Sequence, residues 1–228
     1  MQLSVIIPVL NEADRIVASA RALAPLRARG HEVICVDGGS SDGTATLCEA
    51  HSDLVIGSGK GRARQMNAGA ARASGEVLLF LHADTALPER VDELVIDACR
   101  DQPPRWGCFD VTLSGDRFAF RVIESTMNLR TRISGVVTGD KAMFVDRTLF
   151  ETVGGYPDLP LMEDVAISRR LKRLASPVFL HDRVVASSRY WERRGIARSV
   201  IRMWALRLRY FLGTDPARLE RAYYDESP

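Results

Sequence analysis

The stretch Phe80-Leu81-His82-Ala83-Asp84-Thr85 is the point where an apolar run ends in a carboxylate. Residues 76–81 predict a buried strand, because an uninterrupted apolar run is bounded by a serine-glycine pair before it and by a proline-containing turn after it. In an open α/β sheet, ligands collect at the carboxyl ends of parallel strands. His82 and Asp84 follow this strand directly, so both are candidates for chemistry.

Asp84 offers the ligand type that a hard cation prefers. Mg²⁺ and Mn²⁺ bind oxygen ligands and usually share them with substrate phosphates. The alternative is that Asp84 only caps the turn before a helix predicted to begin at Pro88. Considered alone, the residue supports both interpretations equally, and the flanking segments decide between them.

Composition predicts an ordinary globular protein. The 228 residues can bury one substantial core, and the apolar and charged fractions are 46% and 26%. The net charge of +2 gives no general case for nucleic-acid binding. Cysteine spacing shows no CxxC pair and no histidine at zinc spacing, so reduced and mostly buried thiols are expected at Cys35, Cys48, Cys99 and Cys108. No leader is recognised and no run approaches the ~18 apolar residues of a membrane span, so a cytoplasmic protein is expected.

Strands and helices alternate as far as Asp84. Strands are predicted at 3–10, 32–36, 54–56 and 76–81, and helices at 12–29, from 41 or 42 to 50, and from 61 to about 73. This alternation predicts a largely parallel sheet with helices on both faces.

The second half of the chain follows a different order. Helices are predicted at 88–100, 117–133 and 147–153, from about 161 to 174 and at 195–212, and strands at 106–113, 142–145, 178–180 and 184–187, with a linker at 101–105. We interpret residues 1–212 as a single domain with a nucleotide-binding half (1–100), an acceptor half (101–190) and a C-terminal helix (191–212). Residues 213–228 are expected to be a tail.

Two further segments carry candidate chemistry. Gly57–Arg64 combines glycines, three cations and a helix start, which suits a diphosphate. It is neither a GxGxxG fingerprint nor a P-loop, and the alternative is a solvated basic helix start. The pair Glu163-Asp164 begins another predicted helix, where two acids also suit the macrodipole without any function.

Four segments in order resemble the family 2 glycosyltransferases of GT-A fold. They are Val5 to Glu12, Val36 to Thr44, the strand end at Asp84, and Gly154-Gly155-Tyr156 leading to Glu163-Asp164. The resemblance runs from Leu3 to about Leu174. It implies transfer of a sugar from a nucleotide diphosphate donor with inversion at the anomeric carbon. Residues 59–67 and 187–195 look like a short bacterial subgroup of the family that has been linked with arsenosugar biosynthesis.

The resemblance also implies roles for individual residues. Asp37 would accept a hydrogen bond from the base N3–H, which favours uracil. Asp84 matches the last acid of the DxD motif, which holds Mn²⁺ or Mg²⁺ on the diphosphate, while His82 replaces the first acid and is either a ligand or a supporting group. Asp164, with Glu163 beside it, matches the general base. The candidate donor-binding residues are Pro8, Val9, Asn11, Glu12, Asp37, Gly38, Lys60, Gly61, Arg64, Asn67, Ala83 and Asp84, and the candidates for acceptor or diphosphate contacts are Asp140, Arg189, Trp191 and Arg194.

The expected partners are a nucleotide-sugar donor and a small-molecule or lipid-linked acceptor, with a homodimer as a further candidate. The predicted helix at 195–212 is amphipathic and rich in arginine. It either packs on the core or lies on the inner face of a membrane in weak contact. The rival functions are a nucleotidyltransferase, which would need a glycine-rich basic loop after the first strand, and a non-catalytic nucleotide-sugar binding module.

Overall fold

The structure, a computed structural model, describes residues 1–100 and 105–224. Its strands are β1 (Leu3–Val9), β2 (Glu32–Asp37), β3 (Leu54–Gly57), β4 (Val77–Phe80), β5 (Thr85–Ala86), β6 (Trp106–Leu113), β7 (Phe144–Asp146) and β8 (Val178–Ala186). Its helices are α1 (Ala13–Arg21), α2 (Ala24–Ala28), α3 (Thr44–Glu49), α4 (Arg62–Arg72), α5 (Val91–Arg100), α6 (Phe118–Ser134), α7 (Arg147–Thr152), α8 (Glu163–Leu171), α9 (Arg189–Arg194), α10 (Ile196–Phe211) and α11 (Pro216–Tyr224). A short 3₁₀ helix spans Gly139–Lys141.

The strands form one mixed sheet in the order β3-β2-β1-β4-β7-β6-β8-β5. The first four are parallel to one another, and β6 is parallel to β8. Only β7 and β5 run against their neighbours in the described part of the chain. The predicted α/β class, with a mainly parallel sheet flanked by helices, is therefore confirmed. Because β1, β2 and β4 run the same way, their carboxyl ends meet at one edge.

The core lies on both faces of this sheet. In β1, Val5 and Ile7 face one apolar cluster and Ile6 faces the other, and all three are fully buried. The same alternation places Leu79 opposite to Leu78 and Phe80 across β4. A strand covered on both faces needs apolar side chains at every position, which explains the uninterrupted apolar runs in the sequence.

Several predicted boundaries were wrong, each for a local reason. The helix expected at 12–29 is two helices, because Pro25 lacks an N–H and instead occupies the first turn of α2. The strands expected at 178–180 and 184–187 are one strand, β8, which shifts register against β6 between Phe109 and Asp110. Such an irregularity interrupts the alternation that marks a strand.

The C-terminal region contains more helix than was predicted. A separate helix, α9, precedes α10, and the break between them falls at Gly195 with φ 80°. Residues 216–224, expected to belong to a tail, form α11, whose Leu219 is fully buried against Leu206 and Met162. Residues 225–228 of the expected tail and 101–104 of the expected linker lie outside the described residues. All four cysteines are buried and unpaired, as predicted.

We expect Gly107 to be required where β6 packs against β8. A Cβ on this residue would lie 2.0 Å from the Val178 carbonyl oxygen and 2.7 Å from Phe144 Cζ, whereas a Cβ on Gly57 would meet nothing within 4 Å. Gly107→Ala should lower the free energy of unfolding by about 1–3 kcal/mol. Gly57→Ala, the matched control, should leave it unchanged or raise it by up to about 1 kcal/mol. Urea unfolding followed by circular dichroism measures both, and equal effects would contradict the close approach of the strands.

Candidate active site

Two cavities open at the edge where the parallel strands end. The Lys60 cavity, of about 570 Å³, is lined by Pro8, Val9, Leu10, Glu12, Lys60, Gly61, Arg64, Gln65, Ala83 and the 158–160 segment, among others. The Asp164 cavity, of about 380 Å³, is lined by Asp140, Asp164, Trp191 and side chains of α6 and α10, among others. Arg62, His82, Asp84, Leu161 and Glu163 line both cavities. We call these five residues the shared wall.

A buried glutamine holds the strand ends beside the Lys60 cavity. The Gln65 side chain donates hydrogen bonds to the carbonyl oxygens of Val9 and Val36, both at 2.8 Å. Gly38 lies against this amide, since a Cβ on Gly38 would be 3.0 Å from Gln65 Cδ. Gln65 was not predicted as a site residue, although a polar residue on the core-facing side of a helix was an available signal.

The loops after β1 and β2 bind each other through polar side chains. The Asn11 side-chain oxygen accepts a hydrogen bond from the Ser41 N–H at 2.9 Å, and the Glu12 N–H donates to Thr44 Oγ1 at 2.8 Å. Asp37 accepts hydrogen bonds from the N–H groups of Gly39 and Ser40, both at 3.0 Å. Glu12 lines the Lys60 cavity, whereas Asn11, Asp37 and Gly38 are not among its lining residues.

The cations at the start of α4 point in different directions. Arg64 is paired with Asp158, with Nε 2.8 Å from a carboxylate oxygen, and both side chains are mostly exposed. Arg62 belongs to the shared wall and acts electrostatically on both His82 and Glu163. Residues two apart on a helix do not share a face, so the sequence could not tell which arginine lies between the two cavities. Lys60 and Arg64 were predicted as site residues, and Arg62 was not.

The predicted acid pair lies at the first turn of α8. Asp164 accepts hydrogen bonds from the N–H groups of Val165 and Gly139, at 2.7 and 3.1 Å. Burial raises the pKa of Asp164 above its usual value, against the effect of these hydrogen bonds. Burial also raises the pKa of Glu163 to about 7, with Asp164 adding to the shift and Arg62 opposing it. The pKa of each acid is therefore nearer to neutral pH than the pKa of an exposed carboxylate.

His82 is a neutral group in this site. Burial, together with the neighbouring Arg62, lowers the pKa of His82 to about 3. The ring packs on the backbone of Gly139, because a Cβ there would lie 2.5 Å from His82 Nε2. His82 thus supports the same residue whose N–H donates to Asp164.

Asp84 is the residue best placed to hold a divalent cation. Its side chain is exposed and belongs to the shared wall. Within residues 1–100 and 105–224, no cluster of three or more metal-ligating side chains is present. A single carboxylate fits Mg²⁺ or Mn²⁺ when diphosphate oxygens and water complete the coordination, as is usual for Mg²⁺.

Some residues that line the Asp164 cavity have a buried oxygen atom without a hydrogen-bond partner in the described part of the chain. Asp140 Oδ1 and Thr85 Oγ1 are inaccessible to solvent and make no hydrogen bond in the part of the chain that the structure describes. Both residues line the Asp164 cavity. Buried polar atoms are almost always hydrogen-bonded, so these two atoms are exceptions beside the cavity. Asp140 was predicted as a site residue, and Thr85 was missed.

Three predicted site residues have other contacts. Asn67 binds the backbone of Tyr156 twice, donating at 2.8 Å and accepting at 2.9 Å. Arg189 Nε donates to Ser187 Oγ at 3.0 Å, and the Arg194 guanidinium lies 5.4 Å from the centre of the Tyr190 ring. None of these three lines either cavity, whereas Trp191 lines the Asp164 cavity.

Solved structures with the same architecture identify the fold class. Residues 1–349 of S. aureus TarS match with a TM-score of 0.68 at 20% identity, over 84% of this chain and 63% of that chain. A mannosyltransferase, PcManGT from Pyrobaculum calidifontis in complex with GDP-Man and Mn²⁺, matches with a TM-score of 0.60 at 22% identity, over 81% of this chain and 56% of that chain. Glucosyl-3-phosphoglycerate synthase from Mycobacterium tuberculosis, in complex with Mg²⁺ and UDP, has a TM-score of 0.60 at 17% identity, over 81% of this chain and 70% of that chain. The fold is the GT-A fold of glycosyltransferases.

The family follows from the sequence itself. The family model described as Glycosyl transferase family 2 matches residues 4–151, and the chain belongs to that family. No curated protein matches the sequence. The chain spans less than two thirds of the TarS fragment, with 63% of its length covered.

Proposed function

We propose that this protein is an inverting glycosyltransferase that moves a sugar from a nucleotide diphosphate donor to an acceptor hydroxyl. The donor occupies the Lys60 cavity and the acceptor occupies the Asp164 cavity. The observation that carries the proposal is the shared wall, because it gives two separate cavities a common boundary containing an arginine and two carboxylates. A transfer reaction needs two substrates to meet at one point.

The donor end of the proposal rests on the strand edge. Pro8, Val9 and Glu12 line the cavity that would hold the nucleoside, and Lys60 lines it at the start of α4, where anions are favoured. UDP is the proposed nucleoside diphosphate. Asp37, which pairs with Val9 at the end of β1 and lies just outside the cavity lining, is the proposed base-recognising carboxylate. Structures with the same fold contain UDP-GlcNAc in TarS and GDP-Man in PcManGT.

In the proposed reaction the bond between the anomeric carbon and the diphosphate oxygen breaks, and the acceptor oxygen forms the new bond from the opposite face. Negative charge grows on the leaving diphosphate. Arg62 in the shared wall and Lys60 stabilise this charge electrostatically. Asp84 would hold a divalent cation, which supplies further stabilisation of the leaving diphosphate when it is bound.

Asp164 is the proposed general base. Two N–H groups fix its carboxylate, at 2.7 and 3.1 Å, and burial raises its pKa. A carboxylate with raised pKa accepts a proton from a hydroxyl more readily than an exposed one does. The proton of the acceptor hydroxyl therefore goes to Asp164 as the new glycosidic bond forms, and no covalent enzyme intermediate is needed.

The finer expectations from the sequence belong to this proposal. The resemblance to the arsenosugar-linked subgroup rests on residues 59–67 and 187–195, and both segments contribute lining residues, Lys60 and Gly61 to one cavity and Ser187 and Trp191 to the other. A cytoplasmic location and the absence of a nucleic-acid partner remain expectations from the composition.

The general test is a screen of nucleotide sugars with and without Mn²⁺. A donor at 100 times its dissociation constant should stabilise the fold by about 2.7 kcal/mol, which a thermal shift detects. Release of UDP with an acceptor present supports glycosyl transfer. Release of pyrophosphate instead would favour a nucleotidyltransferase, and binding without turnover would favour a non-catalytic module.

Asp164→Asn should reduce kcat by about 10²- to 10⁴-fold, the usual contribution of a positioned general base. Donor affinity should change little, because Asp164 lines only the Asp164 cavity. UDP release and donor titration measure the two quantities. Glu163→Gln is the matched variant, and a larger loss of kcat in it than in Asp164→Asn would assign the base to Glu163.

Asp84→Asn should remove the effect of the metal on donor binding. The exposed side chain makes no packing contribution to the core, so the fold should survive. We expect UDP affinity of the variant in Mn²⁺ to equal that of the wild type in EDTA. Circular dichroism checks folding, and an unchanged gain from Mn²⁺ in a folded variant would exclude Asp84 as the ligand.

Arg62→Gln should lower kcat by about 10²-fold, because one preorganised charge that faces the leaving group is worth this much. Arg64→Gln is the control on the same helix turn. Its guanidinium is exposed and paired with Asp158, so a change in kcat of no more than about fivefold is expected. A greater loss of kcat in Arg64→Gln than in Arg62→Gln would assign the diphosphate contact to Arg64, as the sequence predicted.

A further inference from the structure

Two helices expose apolar stripes at helical spacing. On α6 the stripe consists of Phe118, Val122, Leu129 and Ile133, and on α10 and just after it the stripe consists of Ile201, Trp204, Leu208, Phe211 and Leu212. Phe118 is 81% exposed, Ile133 77% and Trp204 63%. Single exposed apolar residues are ordinary. Contiguous stripes of this kind mark a surface that another body covers.

Both stripes border the Asp164 cavity. The cavity is lined by Ile123, Met127 and Arg130 of α6, and by Val200, Met203 and Arg207 of α10. With about 3.6 residues per helical turn, the order around each helix is core-facing side, cavity-lining side and exposed stripe. Trp204 belongs to the stripe and also lines the cavity. The apolar surface therefore continues from the cavity lining onto the outer faces of both helices.

The charged residues of α10 are all positive. The helix contains Arg198, Arg202, Arg207 and Arg209 and no acidic residue. Arg198 and Arg209 are exposed on the side of the stripe away from the cavity. An apolar helix face with flanking arginines and a tryptophan is the pattern that binds an anionic lipid interface.

We propose that the two stripes dock the protein on a membrane surface that contains anionic lipids. We further propose that the acceptor carries an apolar chain held in that membrane, with its hydroxyl-bearing end in the Asp164 cavity. The second part rests on the proposed glycosyl transfer. Within the described ranges 1–100 and 105–224, no helix is long and apolar enough to cross a bilayer.

A second copy of the chain fits this surface less well. A two-fold contact places the same patch on both partners. The arginines of α10 would then face those of the other α10, with no acid on that helix to pair with them. Anionic lipid headgroups supply the missing negative charge.

The test is cosedimentation of the full chain with vesicles of phosphatidylcholine alone or mixed with phosphatidylglycerol. We expect binding to the anionic vesicles that weakens at high salt, because exposed charges are screened. The double variant Ile201→Ser/Leu208→Ser should lower the partition coefficient at least about tenfold. Leu174→Ser is the matched control, because Leu174 is 55% exposed and lies outside both stripes. None of the three substituted residues, Ile201, Leu208 and Leu174, lines either cavity.

The charge component has its own variants. Arg198→Glu/Arg209→Glu should abolish the preference for anionic over neutral vesicles, whereas Arg72→Glu, on the exposed side of α4, should retain it. Absence of wild-type binding at low salt, or equal binding to both vesicle types, would overturn the docking proposal. Sedimentation velocity would also overturn it if the wild type is a dimer and Ile201→Ser/Leu208→Ser is a monomer.

The acceptor component is tested with the same variants. With a long-chain alcohol or polyprenyl phosphate in anionic vesicles, Ile201→Ser/Leu208→Ser should lose at least about tenfold in turnover, while its donor-induced thermal shift stays at the wild-type value. Equal turnover by the variant and the wild type would overturn the membrane-held acceptor. Vesicle binding without any nucleotide-sugar binding would refute the proposed function alone, and nucleotide-sugar turnover without vesicle binding would refute this inference alone.

Discussion

The position of every group in the site depends on how the parallel strands β1 and β2 end. At that edge the carbonyl groups of Val9 and Val36 lie against α4, and the Val9 carbonyl also accepts a hydrogen bond from the Gly38 N–H at 2.9 Å. The single amide of Gln65 donates to both carbonyls, at 2.8 Å each. A buried amide without these partners would cost about 1–3 kcal/mol. Because Gln65 lies in the first turns of α4, the same contact fixes the start of that helix, and with it Lys60 and Arg62, against the strand ends.

The second constraint is electrostatic. Glu163 and Asp164 are adjacent acids in a poorly solvated place, and burial raises the pKa of each. The N–H groups that bind Asp164 and the guanidinium of Arg62 offset part of this unfavourable burial. His82 contributes packing rather than charge, because its lowered pKa keeps it neutral beside Arg62. An arrangement that costs stability is commonly retained at a functional site.

The sequence predicted the elements that local pattern determines and missed those that depend on distant contacts. Apolar runs predicted β1, β2 and β4, because a strand covered on both faces is apolar throughout. No local signal showed that β7 would run antiparallel beside β4, or that 178–186 would form one strand, since both depend on pairing partners far away in the chain. Of the residues that line the cavities, Asp84, Glu163 and Asp164 were predicted from motif positions. Arg62 could not be distinguished from Arg64 without the direction of each side chain. The short helix α11 depends on distant contacts, which are the burial of Leu219 and hydrogen bonds from Arg202 to the carbonyl oxygens of Ala222 and Tyr223.

The C-terminal helix shows what amphipathicity does and does not determine. Its periodicity predicted an apolar face correctly, but only Ser199 and Leu206 of α10 are buried in the described structure. Periodicity reports that a face avoids water and does not report what covers it. The two cavities also differ in what surrounds them. The Lys60 cavity has charged residues around its opening, whereas the Asp164 cavity continues into the exposed stripes of α6 and α10. The charged donor and the apolar acceptor proposed above would need such unlike surroundings, and the two cavities meet at the shared wall.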